Sequence, residues 1–394
     1  MARTLAELPA GSRITDYISL GVIAKFFPVE KIREVLEQTN RASIRERDLP
    51  AHVVVYYVIA LALYMRSSYR EVLRCLLEGV QWLLDPSAKV KVAGKSGISQ
   101  ARSRLGAEPL KELYAAVVAP IAGKRTKGAW YRQWRLVSLD GSTLDVADTA
   151  ENDKAFGRPG SSRGSSAFPK IRFVALLENG THVLWGPHMD RYATDELTLA
   201  EKAIPSLRKG MLCMADRFFP SYKLWRTAAK TGADLLWRTR QNARLDAEKR
   251  LPDGSYLSRI YASSGDRRKK RNGIVVRVID YRLKNVREAE PLYRLITTIR
   301  QTTLDELKTH LRGAQIVLRS KTPELVRQEF FGLLMAHFAI RGLMHEAALK
   351  ADEDPDRLSF VHSVHVVQRR MARYASIPPS AEKSLPPRDP GRDS

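Results

Sequence analysis

Two cysteines, Cys75 and Cys213, are all that 394 residues contain. That excludes a disulfide framework and any zinc site built on cysteine. Long apolar runs are missing as well. The longest, Val53 to Met65 between His52 and Arg66, has 13 residues, whereas a membrane-spanning helix needs about 20. A buried helix is the expectation there, and no membrane is expected as a partner. The opening stretch MARTLAELPAGSR lacks the apolar core of a signal peptide. The expected location is the cytoplasm, at the nucleoid if the partner is DNA. Acidic residues are also in short supply: 43 Asp and Glu face 66 Lys and Arg, for a net charge of +23.

A positive excess of that size acts through its field, and its usual partner is a polyanion. Nucleic acid is the first candidate, ahead of an anionic membrane surface or a merely solvated basic surface. The apolar fraction, 44%, is that of a folded globular chain. The length suits two or three domains.

Residues 1 to 125 read as a helical N-terminal domain. Pro28-Val29-Glu30 opens a segment with Ile32, Val35 and Leu36 at helical spacing, ending near Asn40. The apolar run from Val53 is entered through Asp48-Leu49-Pro50. A further helix is expected from Tyr69 to Leu84, stopped by Asp85-Pro86. After a basic stretch from Lys89 to Gly97, Ile98 to Gly106 forms a short helix carrying Arg102 and Arg104. A helix, a turn and a second basic helix suit a helix-turn-helix DNA reader, with Arg102 and Arg104 as DNA-binding candidates. A solvated basic helix is the alternative.

The pattern changes after Trp130. A strand is expected from Arg135 to Leu139, ending at Asp140. A hairpin is expected from strands over Ile171 to Leu177 and His182 to Trp185, around Glu178-Asn179-Gly180. Helix, strand and helix follow over 197–207, 211–215 and 220–230, the order of a mixed α/β sheet. A β-rich region runs from about 233 to 300, and helices are expected over 303–311 and 323–348. The domain from 126 to 375 is thus α/β, and a Pro-, Ser- and charge-rich tail, 376–394, is expected to be disordered.

Asp140 and Asp216 stand out by position. Each ends an apolar strand, Asp140 before Gly141-Ser142 and Asp216 before Arg217 and a helix. If the strands are neighbours, both carboxylates emerge at one edge, where hard oxygen ligands suit Mg²⁺ together with substrate phosphate oxygens. Turn formation at strand ends is the alternative job for both. Arg267 to Arg271, five basic residues beside Asn272-Gly273, suggest an exposed hairpin tip able to clamp phosphates or simply to aid solubility. Trp130, Tyr131 and Trp134 amid Arg132 and Arg135 offer either a base-stacking surface or a domain-core boundary. Gly94-Lys95-Ser96 lacks the earlier glycine of a phosphate loop. His362 and His365 have no ligand partners in sequence for a metal site.

Leu139-Asp140-Gly141-Ser142, Ala215-Asp216-Arg217-Phe218 and Asp305-Glu306-Leu307-Lys308-Thr309-His310 resemble the DDE transposases of bacterial insertion sequences. Within these, the insertion-element-4 group is the match, through Val317 to Glu329 and through Ile98 to Gly106. The resemblance covers about residue 10 to residue 375. It implies a ribonuclease H-like mixed-sheet domain with a β-rich insertion between the second and third acidic positions. It also implies cleavage and joining of double-stranded DNA at element ends with Mg²⁺ or Mn²⁺, by a homodimer on DNA. Asp140 and Asp216 then match the first and second metal-binding acids. Arg217 and Lys308 match residues that contact phosphate or orient the carboxylates.

The third acid should lie seven residues before the Lys of a Tyr, Arg, Glu, Lys pattern. Seven residues before Lys308 stands Gln301. The strand over 294–300 and the helix carrying Lys308 are almost fused, as if about two dozen residues of loop and helix were deleted. Gln carries no charge to hold divalent cations. Asp305, one helical turn on, is the candidate surrogate catalytic acid. The alternative function is a catalytically inactive DNA-binding remnant or an inhibitor of transposition. An unrelated basic metal-dependent hydrolase is disfavoured by the C-terminal signature.

Overall fold

The structure, a computed structural model, describes residues 19–44, 49–65, 67–74, 76, 93–161, 164–165, 168–282, 290–299 and 317–364. It divides into two compact units. One draws on the chain up to Val118, on 324–347 and on residues from Arg357 onward; the other holds 119–323 and 348–356.

The first unit is helical: α1 (Ser19–Phe26), α2 (Val29–Gln38), α3 (Ala51–Leu63), α4 (Lys95–Leu105), α5 (Glu108–Val117) and most of a long helix, Pro323–Ala351. Helix α3 is apolar on every side, and Val53 through Leu61 are all buried, so it is the central helix of the unit. Pro50 supplies its extended N-terminal residue. The long helix approaches α3 closely because residue 332 is glycine. A Cβ there would lie 2.7 Å from the Val58 carbonyl oxygen. Phe338 of the long helix meets Phe26 and Phe27 edge-on, with centroids 5.7 and 6.0 Å apart. Helix α4 turns Ile98, Ala101 and Leu105 inward. It stops at Gly106, whose φ of +72° is the left-handed value glycine tolerates at a helix end. Residues 69–74 and 76 are helical; the rest of the helix expected over 69–84, and its link to α4 as far as residue 92, lie outside the described residues.

The second unit is built on one mixed sheet. Its strands are β1 (Trp130–Tyr131), β2 (Trp134–Val146), β5 (Lys170–Glu178), β6 (Leu184–Arg191), β7 (Met211–Ala215), β8 (Asp234–Thr239), β9 (Lys249–Arg250), β10 (Tyr256–Ile260), β11 (Ile274–Tyr281), β12 (Tyr293–Thr297) and β13 (Val317–Leu318). A separate ribbon pairs β3 (Gly160–Ser161) with β4 (Gly164–Ser165). Helices α6 (Ala150–Phe156), α7 (Glu196–Ala203), α8 (Tyr222–Lys230) and the one-turn α9 (Ser264–Arg268) complete it. The central order is β6–β5–β2–β7–β8, antiparallel from β6 to β2 and parallel from β2 to β8. This is a ribonuclease H-like arrangement.

Strands β12, β11, β10 and β9 continue the same sheet past β8, all antiparallel. The expected β-rich insertion is therefore an extension of the central sheet. By pairing with β8 it covers an edge that would otherwise be open.

Three local expectations change. Strand β2 does not end at Asp140 with a turn at Gly141-Ser142. It runs on to Val146, because β5 offers antiparallel partners down to the Asp145–Lys170 pair. In the hairpin, β6 starts at Leu184 rather than His182, and His182 takes a positive φ of 58° inside the turn. Glycine is required at 180, where a Cβ would sit 2.5 Å from the Ala129 nitrogen. The basic tip between β10 and β11 is folded into α9, capped by the Ser263 hydroxyl on the Asp266 N–H. Arg268 to Asn272 are exposed around its end.

Among the described residues no helix is long and apolar enough to cross a membrane. The helix expected over 303–311 and the tail 376–394 lie outside the described residues.

Candidate active site

Alternation along the strands sends Trp134, Leu136, Leu212, Met214 and Leu236 to one face of the sheet, where they form an apolar cluster with Ile299. The same rows continue toward the C-terminal ends of the parallel strands and there turn polar. The last β2–β7 pair is Leu139 with Ala215, and the last β7–β8 pair is Ala215 with Trp237. One residue on, Asp140, Asp216 and Arg238 stand side by side across three adjacent strands, on the face that carries the cluster. Polar groups follow where the apolar rows run out, because β7 ends at Ala215 and leaves the position after it exposed.

Asp140 is half-buried, and burial is the main cause that pushes its carboxyl above the usual aspartate range. The Gly141 N–H opposes this by donating to it, while the charges of Glu196 and Asp216 push it further up. Glu196 opens α7 and reaches the strand because residue 141 has no side chain. A Cβ on Gly141 would lie 3.2 Å from the Glu196 Cδ. Arg172 Nη1 lies 3.5 Å from Glu196 Oε1. Asp216 is exposed and accepts the Arg217 N–H at 2.5 Å. Arg238 Nη1 lies 3.9 Å from its Oδ1.

Beside Asp216 an open cavity of about 610 Å³ is lined by Arg217, Phe218, Thr239, Arg240, Gln241, Asn242 and Glu290. Phe218 projects into solvent, 58% exposed. Its ring is faced by the guanidinium groups of Arg217 at 5.5 Å and Arg240 at 6.0 Å.

Two carboxylates presented together are a donor set that suits Mg²⁺ or Mn²⁺, which take one or two carboxylates and fill their shell with water and phosphate oxygens. A cation between them would also relieve the mutual repulsion that disfavours ionised Asp140. Among the described residues no group of three or more acidic, His or Cys side chains is placed to hold a metal ion. Gln301, Asp305 and Lys308 lie outside the described residues, as does His365.

The two arginines expected to read DNA have different fates. Arg104 is exposed on α4. Arg102 is not available to DNA: it is 3% exposed, its Nε donates to Gln328 Oε1 at 2.8 Å, and its Nη2 donates to the Leu325 carbonyl at 3.2 Å. It sits on the same side of α4 as Ile98, Ala101 and Leu105, so its charge serves the interior of the helical unit. Trp130, Tyr131 and Trp134 form a core boundary rather than a stacking surface. Trp134 is 8% exposed and donates Nε1–H to Asp234, Trp130 donates to the Gly123 carbonyl, and Tyr131 packs on the apolar cluster.

Glu196, Arg238 and Glu290 were not singled out from sequence. Arg238 had a local signal, since it follows Leu235-Leu236-Trp237 as Asp216 follows an apolar strand. Glu196 and Glu290 had none, because only the fold brings Glu196 to Asp140 and Glu290 to Arg217 and Arg238.

The family described as insertion element 4 transposase N-terminal matches residues 17–115. The chain is similar to the InsG transposase for insertion sequence element IS4 of Escherichia coli, 25% identical over 384 residues, covering 91% of this chain and 84% of that protein. A second Escherichia coli protein, InsZ, is 25% identical over 221 residues, 56% of this chain and 71% of its own.

Proposed function

We propose that the chain, which is similar to insertion element 4 transposases, acts on double-stranded DNA at element ends, cutting and transferring strands at Asp140 and Asp216. The observation that carries this reading is the β2–β7–β8 register, which sets Asp140, Asp216 and Arg238 side by side just past the last parallel pairs. Asp140 and Asp216 would hold Mg²⁺ or Mn²⁺, which supplies activation of a water or 3′-hydroxyl and neutralises the leaving oxygen. Arg217 and Arg238 bring positive charge to the phosphodiester beside Asp216. Lys308 contacts phosphate from the C-terminal part of the domain. Arg104 on α4 and the exposed cations around α9 add backbone contacts that fix the duplex without reading sequence. A homodimer on DNA, working in the cytoplasm at the nucleoid, fits this activity.

A second reading has its own observation. Gln301 stands where the third acid belongs, and a neutral amide does not replace a carboxylate in balancing two divalent cations. On that reading Asp305 does not complete the site. The chain then holds element ends without cutting them and competes with an intact transposase.

Strand cleavage of end-labelled DNA carrying the element's own termini separates the two. Nicking that needs Mg²⁺ or Mn²⁺, stops in EDTA and is lost in Asp140→Asn supports the enzyme, with Asp305→Asn showing whether that residue is the third acid. Binding without nicking supports the inhibitor, and absence of binding removes both.

A further inference from the structure

Three donors from three parts of the second unit converge on one carboxylate next to Asp216. Arg217 Nη1 donates to Glu290 Oε1 at 2.9 Å, and Arg238 Nη2 lies 2.5 Å from the same oxygen. Gln241 Nε2 donates to Glu290 Oε2 at 3.2 Å and is steadied by the Leu292 carbonyl at 3.1 Å. Arg238 is further fixed by stacking its guanidinium on the Tyr293 ring at 4.8 Å. Arg217, Gln241 and Glu290 itself line the cavity beside Asp216, with Arg238 behind them. Glu290 enters from the chain between β11 and β12, and its side chain is 31% exposed.

We propose that Arg217, Arg238 and Gln241 form a binding site for a DNA backbone phosphate, and that Glu290 occupies this site in the free protein as a built-in competitor. The inference rests on the DNA-processing reading given above and deepens it. The chemistry of the two ligands is matched. A phosphodiester, like a carboxylate, carries one negative charge on two terminal oxygens, so donors arranged around Oε1 and Oε2 fit it without rearrangement. The position is also the one the reaction needs, because Arg238 spans from Glu290 to Asp216. A phosphate that displaced Glu290 would be held within reach of the aspartates.

The displacement explains why a carboxylate is useful there. Arg217 at the cavity wall with Arg238 beside it would, if left unneutralised, capture any polyanion by charge alone. With Glu290 in place the pair is neutralised until a strand enters in the right geometry. Glu290 is held in its ionised form chiefly by the hydrogen bond from Arg238, with its pKa below the usual glutamate range. It is therefore a charged competitor at neutral pH.

The test measures binding of a duplex carrying the element terminus by fluorescence anisotropy, in EDTA, across a salt series. Glu290→Gln removes the competing charge and keeps the shape. It is compared with Glu248→Gln, which removes one negative charge at a remote pair with Arg259. The expected result is about fivefold tighter binding for Glu290→Gln at low salt, from release of one exposed ion pair. Its log–log salt slope should be steeper by about one, since the displaced carboxylate no longer takes up a cation. Glu248→Gln should match the parent in slope, and Glu290→Gln should give no gain in an Arg217→Gln/Arg238→Gln background. Inorganic phosphate is the second probe, and it should raise the melting temperature of Glu290→Gln more than that of the parent. If the parent binds no DNA, the DNA-processing reading fails, and the phosphate melt still decides the anion site. Equal slopes for Glu290→Gln and Glu248→Gln, with no differential effect of phosphate, would overturn the inference.

Discussion

Arg102 decides what helix α4 does, and its removal has a calculable effect. The guanidinium donates hydrogen bonds inside the helical unit, at 2.8 Å to Gln328 and 3.2 Å to the Leu325 carbonyl. Gln328, fully buried, answers by donating Nε2–H to the Arg102 carbonyl at 3.1 Å and to the Gly106 carbonyl at 2.8 Å. The four bonds tie the C-terminal end of α4 to the first turns of the long helix. In Arg102→Ala, Gln328 Oε1 loses its charged donor in a place water does not reach. A hydrogen bond to a charged group contributes about 1.5–3 kcal/mol, and an orphaned buried acceptor costs about 1–3 kcal/mol. Allowing for overlap between these two views of the same bond, and for lost contact with the Tyr69 ring, the expected loss is about 3 kcal/mol. For a unit of this size that corresponds to a fall of roughly 6–12 °C in melting temperature.

The assay is a circular dichroism melt at 222 nm, paired with a salt titration of DNA binding well below the transition. Arg102→Ala should melt early and keep the parent's salt slope, because a buried guanidinium neutralises no phosphate. Gln328→Ala should lower the melt as well, and the double variant should fall short of the sum, since both remove one network. Arg104→Ala should do the opposite, with stability within about 0.5 kcal/mol of the parent and a slope shallower by about 0.9. The reasoning is refuted if Arg102→Ala melts with the parent and loses salt slope.

Three further predictions concern other parts of the chain. Glu178 is fully buried and accepts from the Ile121 N–H at 2.9 Å, the Ala122 N–H at 3.0 Å, the Thr181 hydroxyl and Arg135. Glu178→Ala should destabilise the sheet unit by about 3–5 kcal/mol in urea unfolding, the loss typical of one partner removed from a buried pair. Gly332→Ala pushes a methyl group against the Val58 carbonyl and should destabilise the helical unit by about 1–3 kcal/mol, read by the shift of the same 222 nm melt. Asp140 has a raised pKa in the fold, chiefly from burial. Ionising it therefore costs stability as pH rises from the unfolded aspartate value, about 3.9, through the raised one, and the cost persists at neutral pH. Asp140→Asn should melt higher than the parent at pH 7 in EDTA. The gap should close both on acidification below about pH 4 and on addition of Mn²⁺, and a lower melt for Asp140→Asn at pH 7 would contradict the assignment of burial as the cause.

Much of the fold was legible because its signals are local. The all-apolar run at Val53 reads as a buried helix whatever surrounds it, and α3 is that helix. Leu235-Leu236-Trp237 and Ile274 to Tyr281 read as strands by β-propensity alone, and both are. Asp140 and Asp216 stood out because an acid directly after a run of apolar residues is visible along the chain. The length of β2 was not, since Gly141-Ser142 has turn composition. Pairing with β5 overrode that composition, and no local rule reports a partner more than twenty residues away.

Residue type and spacing determined that this chain is basic, that its first part is helical, and that two aspartates each follow a short apolar segment. They did not determine which charges remain available. Arg102 and Arg104 are two residues apart on one helix, yet one is spent on Gln328 while the other faces solvent. Glu290 and Glu196 are ordinary surface acids in sequence, yet one lies against Arg217 and Arg238 and the other against Gly141. Only the tertiary structure decides such matters. A charge acts over a few ångströms in space, and sheet register, not chain order, sets which charges come within that distance.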